Sequence, residues 1–289
     1  MSAIAGLAFA CSTSGFAAVN DVLPADYFPL SKGTSTLAVY SYDRKATGYY
    51  VQGKKQLDGN LGTQILALRV GRFFEIAGKP VSVIAVLPWA KADIEPAALA
   101  TMFGKNASGT GDLRLGITDW LLSNSSSGQY LAITAMASLP TGDYERRQPL
   151  NIGENRYKGT FSLGWIQPLN NSLKLELTPE IAWFGDNTDY AGGTRFKQKA
   201  SYALTGYLRY RATQNWQFHA GYQLNYGGDT LINGIDQNNP PDNTIMMLGT
   251  TYQSDDRRNQ WIVRLARNIN IKNGFNTDAE LLVRYLRMY

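Results

Sequence analysis

The sequence predicts an all-β chain, a transmembrane antiparallel β-barrel of twelve strands with both termini on the periplasmic side. Three observations predict it. Apolar and polar residues alternate with period two over stretches of about ten residues or more. That exceeds the ~5–6 of a globular strand and matches the ~9–11 tilted residues that cross a bilayer. The connections between those stretches are short and long by turns. The helical alternative also fails: 44% of the 289 residues are hydrophobic, yet no run approaches the roughly 18 apolar residues of a membrane helix.

The first stretch is a short apolar segment, Ala3 to Ala10, followed by Gly15-Phe16-Ala17. Small residues at −3 and −1 predict a signal peptide over 1–17, cleaved before Ala18, although it lacks a charged n-region. A lipoprotein reading at Cys11 is weaker, because Ala8 stands where Leu is usual. Residues 18–33 hold two prolines and little periodicity, and predict a periplasmic lead-in able to tuck into a barrel mouth. The barrel itself is expected over 34–289.

Twelve strands follow. The first four are predicted over Thr34–Asp43, Leu61–Ile76, Pro80–Ala92 and Thr110–Leu122. Gln129–Leu139, Tyr157–Pro168, Ser172–Phe184 and Lys197–Arg211 come next. Trp216–Tyr226, Asn243–Gln253, Gln260–Ile269 and Thr277–Tyr289 complete the set. The sixth and seventh make the clearest hairpin. Phe161, Leu163 and Trp165 alternate with Thr160, Ser162 and Gly164, Asn170-Asn171 turns the chain, and Leu173, Leu175, Leu177 and Ile181 alternate with Lys174, Glu176, Thr178 and Glu180. Alone, this hairpin would also suit a large soluble sandwich.

Loop parity decides against the sandwich. Ala77-Gly78-Lys79, Asn124 to Gly128, Asn170-Asn171, Thr213 to Asn215 and Ser254 to Asn259 are short. Arg44 to Asn60, Asp93 to Gly109, Pro140 to Arg156, Gly185 to Phe196 and Gly227 to Asp242 are long, with Lys272 to Asn276 the exception. Membrane barrels sort their connections this way, short on the periplasmic side and long outside. The 17 Tyr, 6 Trp and 11 Phe suit interfacial girdles. The expected location is the outer membrane of a Gram-negative bacterium. Outer-membrane lipid and lipopolysaccharide would surround the barrel, and the assembly machinery would bind the terminal strand Leu281, Val283, Tyr285, Arg287, Tyr289.

The formal charge of +5 comes from scattered residues with no basic block, so no nucleic-acid partner is expected. One cysteine, Cys11, and one histidine, His219, leave no disulfide, metal site or cofactor to expect in the mature chain. With apolar positions turned to lipid, alternation sends Arg69, Asp112, Arg114, Lys174, Glu176 and Glu180 inward. Tyr207, Arg209, His219, Arg264, Glu280 and Arg284 follow by the same rule. Charges of both signs then face one another, either pairing to support the wall or lining a permeation path. Asp143, Tyr144, Arg146 and Arg147 are candidates for the outer mouth.

The loops carry a family likeness. Gly109-Thr110-Gly111-Asp112 opens the fourth strand, Leu139-Pro140-Thr141-Gly142-Asp143-Tyr144 closes the fifth, and Asn151-Ile152-Gly153-Glu154-Asn155-Arg156 leads into the sixth. Phe184-Gly185-Asp186-Asn187 and Tyr226-Gly227-Gly228-Asp229 follow the seventh and ninth. In this order and spacing they resemble the outer-membrane channel family of the MetA pathway of phenol degradation, from about Leu23 to the C-terminus. The resemblance implies a monomeric twelve-stranded barrel that passes small hydrophobic or aromatic molecules by diffusion, with no catalytic residues to carry over. The chain departs from the pattern at its end, where Arg287 precedes Tyr289. Two other functions stand beside this one: a plugged structural or adhesion barrel, and a barrel enzyme. The enzyme would need a base and nucleophile, and no Ser or Asp can be paired with His219 from spacing.

Overall fold

The computed structural model describes residues 21–104 and 106–289, so the expected signal peptide lies outside the described residues. Twelve long antiparallel strands close into a barrel. They are β1 (Ser35–Val51), β2 (Lys54–Ile76), β3 (Lys79–Glu95), β4 (Leu113–Asn124), β5 (Gln129–Leu139) and β6 (Lys158–Pro168), then β7 (Leu173–Phe184), β8 (Ser201–Arg211), β9 (Trp216–Gly227), β10 (Asn243–Gln253), β11 (Asn259–Asn270) and β12 (Gly274–Met288). Each pairs with its sequence neighbour, and β1 pairs with β12 from Thr36↔Met288 to Tyr50↔Gly274. Closure leaves no strand edge for the lipid to meet, as an unsolvated backbone requires.

The period-two faces lie where alternation puts them. Leu115, Ile117, Phe161, Trp183, Phe218, Val263 and Leu265 are exposed on the outside. Thr118, Ser162, Glu180, His219 and Arg264, from the alternate positions of the same strands, are buried inside. Trp216, Tyr252, Trp261 and Tyr285 form a continuous aromatic row across β9 to β12, with successive ring centroids 4.9, 5.6 and 5.3 Å apart. Tyr202 and Tyr226 stack at 5.3 Å toward the opposite end of β8 and β9. From Trp216 to Tyr226 is roughly ten residues of a tilted strand, or about 25 Å of height. That is the height of the apolar band of an outer-membrane barrel, so the rows are its two girdles. Arg287 sits at the first girdle, over the Tyr289 ring at 5.3 Å and donating to Asn259.

Two expectations need correction. Arg44 to Asn60 is not a long loop: β1 and β2 run on through it and turn only at Gln52-Gly53, where φ is 52° and 75°. Positive φ at both turn positions is the two-residue hairpin geometry, repeated at Ala77-Gly78. The ribbon stays paired through this stretch and buries Ala46 and Tyr49 on its inner face, but bulges between Thr47 and Tyr50 break the period that the sequence would otherwise show. The eighth strand likewise starts at Ser201 rather than Lys197. Thr194–Gln198 belongs instead to a separate four-stranded sheet with Asn187–Tyr190, Thr230–Ile232 and Ile235–Asp236, built from two of the long connections.

The lead-in is inside the barrel. Leu23 is 1% exposed and packs with Ala38, Tyr40, Ala67, Ile262 and Leu282. Tyr27 packs with Phe73, Trp120, Tyr130, Ala132 and Ile166. A Cβ on Gly164 would lie 2.0 Å from Tyr27 Cγ, so only glycine leaves room for that ring. At the other end of the barrel, Tyr49, Ala92 and Ile94 pack with Leu99, Phe103 and Leu150 on the luminal face of the extended ribbon.

Candidate functional site

The lumen between those two packed ends is the candidate site. It holds a cavity of about 300 Å³. A dry cavity of roughly 150 Å³ accommodates a benzene ring, so the space suits a single-ring molecule with room to turn. Its wall is divided. Ile65, Ala67, Ile84, Val86, Pro88 and Ala90, on β2 and β3, make one side apolar. Gln223, Asn225, Asn243 and Asn268 make the other polar, with the three asparagines joined in a chain of bonds 3.0 and 3.2 Å long. The apolar side escaped sequence reading because β3 is apolar on both faces, with Val83, Leu87 and Trp89 turned outward. Its signal was the near-continuous apolar run from Val81 to Ala90, the mark of a strand covered on both sides.

All twelve luminal candidates face inward, and charge pairing organises them. Glu280 accepts from Arg44 (Nε 2.8 Å, Nη2 2.5 Å) and from Arg264 (Nη2 2.7 Å). Glu176 accepts from Arg209 Nε at 2.5 Å and from the Ala25 amide at 2.8 Å. Arg209 also reaches Gln217 at 2.6 Å. Two partners that sequence reading missed come from the lead-in. Asp21 pairs with Arg264, and Asp26 pairs with Arg284 at 2.7 Å and lies 3.7 Å from Arg69. Arg69 donates to Tyr40, and the Tyr207 hydroxyl donates to the Val22 carbonyl at 3.2 Å. Lys174 is half-buried, its ammonium 5.7 Å from the Phe28 ring. Trp120, from β4, donates its indole N–H to the Tyr27 carbonyl at 2.9 Å. Arg114 borders the cavity and Glu180 is buried in the wall. His219 lies edge-on to Tyr207 at 5.8 Å, and neither of its ring nitrogens has a hydrogen-bond partner among the described residues.

The motif residues of the loops stitch the long-loop end together. Asp112 accepts from the amides of Gly142 (3.0 Å) and Glu154 (3.1 Å). Asp143 accepts from the amide and hydroxyl of Thr110 at 2.7 and 3.1 Å. Tyr144 accepts from Asn187 at 2.9 Å and donates to the Asp189 carbonyl, and Arg146 pairs with Asp189 at 2.8 Å. Arg147 is exposed. Of the four mouth candidates, three therefore bind other loops. Burial alone would push the Glu154 carboxyl up, but the charges of Arg156 and Lys158 hold it below its ordinary range. The Arg195 hydrogen bond, with help from Lys197, likewise holds Asp186 low.

Gly142 and Gly153 touch backbone to backbone. A Cβ on Gly142 would stand 2.7 Å from the Gly111 carbonyl carbon and 2.8 Å from Gly153 Cα. Gly142→Ala is expected to cost about 1–3 kcal/mol through forced backbone shifts. Limited proteolysis of the folded barrel should show faster cleavage in the 140–156 connection; an unchanged cleavage rate would mean the loops separate at no cost.

The family model described as "Putative MetA-pathway of phenol degradation" matches residues 42–280. The structure is similar to a crystallised outer membrane channel from Pseudomonas putida F1, with 25% identity and a TM-score of 0.87, covering 93% of this chain and 100% of that one. Two autotransporter barrels share the fold alone. The translocator domain of NalP from Neisseria meningitidis is 10% identical at TM-score 0.54, covering 91% of this chain and 90% of its own. The β domain of the Bordetella autotransporter BrkA is 10% identical at 0.52, covering 89% and 99%. No curated protein matches the chain by sequence.

Proposed function

The chain belongs to the MetA-pathway family of phenol degradation, and from that membership we propose that it is an outer-membrane channel for passive uptake of small hydrophobic or aromatic molecules. The observation that carries the reading is the divided lumen. One wall offers apolar contact from Ile65 to Ala90, and the other offers amides and paired charges. A wholly charged lumen would favour ions and sugars, whereas a half-apolar one lowers the cost of admitting a ring. The Pseudomonas putida channel, matched over its whole length, supports the class. The barrel is read as a monomer in lipid and lipopolysaccharide, with its short turns and both termini periplasmic and its last strand presented to the assembly machinery.

A second reading is a plugged structural barrel. The buried lead-in favours it, because Leu23 and Tyr27 close one end. One experiment separates the two. Refolded protein in lipopolysaccharide-containing liposomes, with protein-free liposomes as background, is offered a small sugar and a monocyclic aromatic of similar size. Faster protein-dependent entry of the aromatic is expected. Equal entry of both would make a general pore, and entry of neither would favour the plugged barrel. No catalytic role is proposed for His219, which has no described nucleophilic side chain within hydrogen-bond reach.

A further inference from the structure

Arg264 holds Asp21 as a two-pronged clamp. Its Nη1 meets Oδ1 at 2.6 Å and its Nη2 meets Oδ2 at 2.8 Å. The Arg264 side chain is 3% exposed, while that of Asp21 is 29% exposed and borders the cavity. We propose that Arg264 is a carboxylate receptor filled in this structure by the chain's own Asp21, and that the permeant is a small apolar molecule carrying one carboxylate, such as an aromatic acid. The proposal rests on the channel reading and narrows its substrate class.

Three features support it. The first is geometry. A guanidinium fork matches a carboxylate oxygen for oxygen, which a lone hydroxyl cannot reproduce. The second is that the occupant is removable. Residues 21–30 contribute no strand to either sheet, so withdrawing Asp21 breaks no ladder bond. The third is charge. Arg44, Arg209 and Arg264 pair with Glu176 and Glu280 of the wall, whereas Arg69 and Arg284, and Arg264 again, take carboxylates from the lead-in's Asp26 and Asp21. Among the described residues, Arg264 Nε, Arg284 Nε and Arg209 Nη2 are buried donors with no hydrogen-bond partner. A lumen whose fixed wall is cationic, and whose balancing carboxylates ride on a segment outside the sheet, offers an incoming anion a vacated seat rather than a new one.

The apolar body has a place as well. Ala266 follows Arg264 by two residues on the same inward face, roughly 7 Å toward the outer mouth, and pairs with the buried Met247. A ring whose carboxylate sits on Arg264 would lie over Ala266 and Met247. Binding of the ligand and release of Asp21 are then one exchange, because the two carboxylates compete for a single fork.

The test titrates the refolded full-length barrel with benzoate and with benzyl alcohol, which has a similar ring but no charge. Benzoate is expected to bind saturably and at least tenfold more tightly. Arg264→Gln should abolish that preference. Arg264→Lys, which keeps the charge without the fork, should recover only part of it. Asp21→Asn is the sharper variant: removing the competing carboxylate should tighten benzoate binding several-fold, which a purely structural ion pair would not do. Equal binding of the two probes, or unchanged benzoate affinity in Asp21→Asn, overturns the proposal. If the liposomes pass aromatics but these titrations fail, the channel reading survives without this substrate class. If no solute passes, the channel reading itself fails.

Discussion

Deleting residues 21–30 is expected to raise the ion conductance of the reconstituted barrel several-fold and to shift its selectivity toward anions. The segment fills the lumen at the short-turn end: Leu23 and Tyr27 are packed on all sides, and Trp120 and Ser162 bond the Tyr27 carbonyl and hydroxyl. Its removal takes away Asp21 and Asp26 but leaves Arg264, Arg284 and Arg69 in the wall. Inside a pore of low effective dielectric, two lost negative charges weigh heavily on ion preference. Gly164→Leu should act in the same direction without shortening the chain, because its side chain needs the volume of the Tyr27 ring. Planar-bilayer recordings check both variants. Unchanged conductance in each would show that ions already pass by another route.

Glu280→Ala is expected to destabilise the barrel by about 3–5 kcal/mol, since it strands buried partner charges. The carboxylate binds Arg44 of β1 and Arg264 of β11 from its own place on β12, so one residue links three strands around the closing seam. Glu280→Gln keeps the volume and some hydrogen bonding, and should cost less. Asp236→Asn, which removes the exposed pair with Lys199 on the outer sheet, should leave stability unchanged because water screens that pair. Urea unfolding in lipid followed by tryptophan fluorescence reads all three. Equal effects of Glu280→Ala and Asp236→Asn would contradict the buried network.

What the sequence made legible was what the membrane itself imposes. Lipid forces strict alternation, so the outward Leu115, Ile117 and Phe218 and the inward Arg264 and Glu280 could be assigned from the residues alone. Where lipid does not reach, the signal weakened. The β1–β2 ribbon, Arg44 to Asn60, reads as a loop because bulges between Thr47 and Tyr50 interrupt its period, although Ala46 and Tyr49 are buried on its inner face. The apolar inner wall of β3 gave no alternation to read. The lead-in has no period at all, since it is held by single contacts in which each residue has a different partner. Hence Arg264 and Arg284 could be placed inside from sequence, but not matched to Asp21 and Asp26, more than two hundred residues away along the chain.

Those distant pairs bear on how the cylinder comes to be shut. The first strand must find the last across nearly the whole polypeptide, the costliest loop closure the chain has to make. Asp21 and Asp26 precede the first strand, yet they grip residues of the last two. Once that grip forms, β1 is tethered within reach of β12, and the remaining search for register is short. On this view the lead-in also works in folding, as a former around which the wall is rolled.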